Sequence, residues 1–121
     1  MKALSLLLLF SMVSVGSHAQ ASDPNSTERM LEMCRSPGEG YGYCAGFISG
    51  TAMVMEAVGV STSGEFRGAF GMCVSTPYPS GNAEVAAFIS WAQRNPQFGG
   101  MPSANGVMTA LAITWPCAEQ R

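Results

Sequence analysis

Apolar positions recur along this chain with helical spacing, and three stretches rich in glycine, proline and serine interrupt them. Met30, Leu31 and Cys34 form an i, i+1, i+4 stripe that predicts a helix over about 27–35. Ser26, ahead of Thr27-Glu28-Arg29, supplies a capping hydroxyl and an acid in the first turn. Ser36-Pro37-Gly38-Glu39-Gly40 then breaks the helix. A second helix is predicted over about 41–58, with Cys44, Phe47, Ile48, Thr51, Met55 and Val58 on one face. Gly46 and Gly50 lie four apart on an adjacent face, and each costs a helix interior about 1 kcal/mol relative to alanine. Tight packing against another backbone is expected there to offset that cost.

The middle of the chain is less regular. Ser61-Thr62-Ser63-Gly64 reads as a turn, and a short helix over about 65–72 would carry Phe66, Ala69 and Phe70 towards Cys73. Residues 76–81 read as a loop. Val85, Phe88, Ile89 and Ala92 predict a helix over about 82–94, capped by Asn82 and ended by Pro96. Val107, Met108, Leu111 and Trp115 predict a last helix over about 104–115, capped by Ser103 and stopped by Pro116. The class expected is all-α: one domain of four to five short helices over 22–121.

The first 21 residues follow a different pattern. Lys2, an apolar run from Leu4 to Val15 and the closing Ala19-Gln20-Ala21 are in the order of a secretory signal peptide. Cleavage is expected after Ala21, with the bond after Ala19 as second choice. The run is shorter than the roughly 20 residues a membrane span needs. No second long apolar stretch follows, so no membrane insertion is expected after cleavage. No cysteine lies near either bond to carry a lipid.

That leader changes the meaning of the composition. All four cysteines (Cys34, Cys44, Cys73, Cys117) lie beyond it, and an even count in a small exported domain predicts two disulfides. Three connectivities are open; Cys34–Cys44 with Cys73–Cys117 is preferred, closing one short glycine-rich loop and tying the C-terminus to the middle. The single histidine, His18, and the single lysine, Lys2, leave with the leader. Five arginines against eight acids remain, a formal charge of −3. Triad and Cys-His catalysis need an imidazole, Schiff-base chemistry needs a lysine, and catalytic zinc sites rest on histidine. No catalytic residue, metal or cofactor is therefore expected. Scattered arginines on an acidic chain exclude a nucleic-acid footprint.

Tyr43-Cys44-Ala45-Gly46-Phe47-Ile48-Ser49-Gly50 resembles a Tyr-Cys-x-Gly-(Tyr/Phe)-Ile-x-Gly signature. Cys34 stands about ten residues earlier, Cys73 and Pro77 stand in the middle, Asn95-Pro96 closes a helix, and Ala110-Leu111, Trp115, Pro116 and Cys117 close the chain. In this order, behind a leader, the set resembles the resistance-associated, Tai-type immunity family of the type VI secretion system. The resemblance spans about 34–117. It departs where the family often carries an acid a few positions after Gly50, since Met53-Val54-Met55 precede Glu56 here. It implies a helical periplasmic protein that binds a peptidoglycan amidase effector and occludes its active site. Tyr43, Gly46, Phe47, Ile48, Gly50 and Pro116 would then be structural motif residues.

Candidates for the partner contact are Tyr78 in one loop and Gln97, Phe98 and Met101 in another, with the aromatic pair as anchors. A homodimer is also open. The alternatives are a periplasmic stress chaperone or other non-enzymatic envelope binding protein, and, more remotely, a glycosidase using two glutamates.

Overall fold

The computed structural model describes residues 23–118. Five α-helices follow one another: α1 (Thr27–Arg35), α2 (Glu39–Ser61), α3 (Gly64–Phe70), α4 (Gly81–Arg94) and α5 (Ser103–Thr114), with a 3-10 turn, Pro96–Phe98, between the last two. Among the described residues there is no strand, only an isolated bridge between Ser26 and Pro102. The chain is thus all-α, and its disulfides are Cys34–Cys44 and Cys73–Cys117, the preferred pairing. The leader expected over 1–21 lies outside the described residues.

α1 begins where its cap predicts: the Arg29 N–H donates to the Ser26 hydroxyl at 3.2 Å. α2 overruns both expected ends. Gly38, at φ 82°, turns the chain in a conformation only glycine adopts easily, and the Gly42 N–H then donates to its carbonyl at 3.1 Å. At the other end the Thr62 hydroxyl and N–H both donate to the Val58 carbonyl, and the Ser61 hydroxyl donates to that of Ala57. These bonds satisfy terminal carbonyls that would otherwise fray. At 23 residues, α2 is long and apolar enough to cross a membrane by length and composition, contrary to the expected lack of a second apolar stretch. In this fold α1, α3, α4 and α5 all pack against it, and five of its residues are buried.

The buried face of α2 is Cys44, Ile48, Ala52, Met55 and Gly59. It is rotated from the expected stripe, so that Phe47, Thr51 and Val58 are only half-buried. Helices α1, α4 and α5 cover one side, whereas short α3 buries none of its own residues. Phe88, Met30, Ile48, Met55, Met72, Leu111 and Val107 are fully buried between the helices. The close packing expected at Gly46 and Gly50 is absent; both are exposed, and a Cβ at either would meet nothing within 4 Å. The close approaches fall elsewhere. At Gly59 a Cβ would stand 2.5 Å from the Met72 carbonyl oxygen, and at Gly106 it would overlap the Thr27 side chain.

Three helix ends differ from expectation. α4 is capped by Ser80, whose hydroxyl accepts from the Ala83 N–H at 3.2 Å. Asn82 instead accepts from the Tyr41 hydroxyl at 3.1 Å. Ser103 lies inside α5, buried, with its N–H donating to the Asn25 carbonyl at 2.7 Å; Pro102 holds the cap position. α3 stops at Phe70: the Gly71 N–H closes it on Arg67 O at 2.8 Å, and the amides beyond turn to other segments, Met72 N–H to Met55 O at 2.9 Å and Cys73 N–H to Trp115 O at 3.0 Å.

Candidate binding surfaces

The loop 95–102 is held from several sides. The amides of Thr27 and Glu28 donate to the carbonyls of Met101 and Gly99 at 2.8 and 2.9 Å. The Thr27 hydroxyl adds a bond to Met101 O at 3.0 Å. Two of the free amides at the N-terminus of α1 are therefore satisfied by this loop rather than by water. The Asn95 side chain donates to the Trp91 carbonyl at 2.8 Å, and the Phe98 ring stacks on Trp91 with centroids 6.2 Å apart and planes 5° apart. Phe98 is still 45% exposed. Gln97 is exposed, while Met101 is half-buried and packs against the core. A small cleft of about 310 Å³ is lined by Glu28 and Leu31 of α1 together with Pro96, Gly99 and Gly100.

Tyr78 lies apart from that loop. It is 66% exposed and stands on the rim of a cleft of about 790 Å³ between the C-terminal part of α2 and the 72–74 segment. Arg67 braces this cleft: its Nε donates to Gly59 O at 2.7 Å and its Nη1 to Ala118 O at 2.9 Å. A cation at the carboxyl end of α2 also suits the helix dipole. The Thr76–Pro77 peptide is cis. The two candidate loops line different clefts and share no lining residue.

A third surface runs along α2. Gly46, Gly50, Val54 and Phe47 form its floor, and Phe66, Phe70 and Met108 form its walls, around about 620 Å³ of open groove. Phe66 and Phe70 pack on one another at 5.0 Å. Of the signature residues, Cys44 and Ile48 are core, Tyr43, Gly46, Gly50 and Pro116 are exposed, and Phe47 is half-buried. The small residues of the signature thus open a surface.

Sequence reasoning passed over Glu84, Trp91, Thr27 and Arg67. Glu84 shares the Phe88 and Ala92 face at i, i+4, i+8, a spacing that could have flagged it as buried. The bonds of Thr27 and Arg67 to residues 74 and 51 positions away leave no local signal.

Among the described residues no group of three or more His, Cys, Asp or Glu is placed to hold a metal ion. A stapled helical body offering an aromatic-bearing loop, an open cleft rim and an apolar groove has the build of a protein-binding module. The chain belongs to the Rap1a immunity protein family, whose model matches residues 26–117. Comparison with curated proteins and with solved structures finds no match. Membership carries a role in immunity against a secreted effector, through binding of that effector, and with the two disulfides it is consistent with a secreted or periplasmic location.

Proposed function

We propose that this chain is a periplasmic immunity protein of the type VI secretion system, of Tai type, that binds a peptidoglycan amidase effector and occludes its active site. It is exported by a leader over 1–21 that is then removed, and the mature protein is non-enzymatic and stays out of the membrane. The observation that carries this reading is the family match over 26–117. The loop at 95–102 supports it: Phe98 projects from a segment already fixed by α1 and Trp91, so docking it loses little conformational freedom. Gln97 and Met101 flank it, and Tyr78 supplies a second contact. The groove along α2 is assigned to a homodimer, in which Gly46 and Gly50 let two helices approach closely.

Exposed Met53, Val54, Val60, Phe66 and Phe70 favour one second reading, a stress chaperone that holds unfolded clients on this apolar side. Titration of the purified protein against type VI amidases, with an aggregating client protein in parallel, separates the two. Immunity predicts a stoichiometric complex and loss of peptidoglycan hydrolysis. Suppression of client aggregation without binding to any amidase would contradict it.

A further inference from the structure

Glu84 is the charged side chain that the described fold buries, at 6% exposure. It lies in the first turn of α4, against α2. Its Oε2 accepts from the Ser49 hydroxyl at 3.3 Å. Two other features seat the same turn on α2. The Tyr41 hydroxyl donates to Asn82 at 3.1 Å, and at Gly81 a Cβ would stand 3.2 Å from Ser49 Oγ.

Among the described residues no cation is paired with this carboxylate. Among the described residues the ion pair present is Arg29–Glu32, on the surface of α1. The charged side chains of α1 (Glu28, Arg29, Glu32 and Arg35) are exposed, α5 carries no titratable residue, and Arg94 is exposed at the far end of α4. α2 carries exposed Glu39 in its first turn and Glu56 seven residues beyond Ser49 on the same face, and the Glu56 charge repels the Glu84 carboxylate. A buried anion with one hydroxyl donor and an acidic neighbour is costly; the neutral acid in the same place is not.

We propose that Glu84 is a proton-binding site, and that taking up the proton locks the first turn of α4 onto α2. The Tyr78 loop enters α4 through Ser80, so the same proton steadies that loop. The inference does not depend on what the protein binds.

Burial pushes the Glu84 carboxyl above its ordinary value of 4.5; the Ser49 hydroxyl pulls it down and Glu56 adds to the rise. The folded chain therefore holds this proton more tightly than the unfolded chain. Its stabilisation is fully present below the ordinary value and is lost as pH rises through the raised one.

Thermal unfolding of the wild type and Glu84→Gln, from about pH 4.5 to 8.5, reads this out, because other groups cancel in the difference. The glutamine variant should melt several degrees higher at the alkaline end, and the two traces should converge at the acidic end. Parallel traces would overturn the proposal. The carboxyl 13C titration of Glu84 in the wild type provides a readout free of any variant's folding. A midpoint above that of exposed glutamates is expected, moving up further in Ser49→Ala, and an ordinary midpoint would overturn it.

Discussion

The two candidate loops are built in opposite ways. Residues 95–102 are laced to α1 by the amides of Thr27 and Glu28 and by the Thr27 hydroxyl, which reaches the carbonyls of both Met101 and Pro102, and Phe98 rests on Trp91. Residues 74–79 make no hydrogen bond among the described residues, and Tyr78 stands two-thirds exposed above its cleft. What holds the second loop lies at its two ends: the Cys73–Cys117 disulfide with the Cys73 N–H bond to Trp115 O at one, and the seating of α4 on α2 at the other. The first loop is preorganised by local polar bonds and the second is merely tethered. A rigid loop suits an anchor that must fit a cleft, whereas a tethered one suits a contact that adapts after encounter.

Breaking the tether should produce the largest effect. On the chain-entropy model, a disulfide spanning 44 residues contributes about 4 kcal/mol and one spanning 10 about 2.7 kcal/mol. Denaturant unfolding of Cys73→Ser/Cys117→Ser should therefore show a greater loss than that of Cys34→Ser/Cys44→Ser. Equal losses would mean that Cys73–Cys117 does not constrain the unfolded chain as its span requires. Next comes the strap. Gly106→Ala drives a methyl into Thr27, the residue that holds Met101, and should cost about 1–3 kcal/mol. Adding Thr27→Ala should restore part of that, by removing the overlapping atoms. The smallest effect separates two caps. Ser26→Ala should cost about 1 kcal/mol, while Asn82→Ala should cost markedly less, because Ser80 caps α4. Thermal melts of the two single variants would rank them.

The same contrast explains what the sequence made legible. α1 could be placed because Ser26 and Pro37 are local signals; the cysteines announced two disulfides but left three pairings open, and only the fold, by bringing Cys34 to Cys44 and Cys73 to Cys117, selects one. α2 was cut short because its glycines argue against helix, while the side-chain bonds of Ser61 and Thr62 that extend it become visible only in the structure. The Gly46/Gly50 spacing identified a special face but not its role; whether a neighbour covers a glycine depends on α3, whose apolar residues stay outside. Phe98 and Tyr78 were nameable as aromatics in loops; their exposure is a finding of the fold. That one is strapped and the other tethered depends on contacts between residues far apart in sequence.

The most direct measurement is inhibition of peptidoglycan hydrolysis by a type VI amidase, first any encoded beside this chain, titrated with the wild type, Phe98→Ala and Tyr78→Ala. The wild type should silence the enzyme at equal concentration, and Phe98→Ala should weaken inhibition about tenfold or more, as loss of a central aromatic anchor does. Tyr78→Ala should weaken it less. No inhibition by the wild type across the amidases, or full inhibition by both variants, would contradict effector occlusion through the strapped loop.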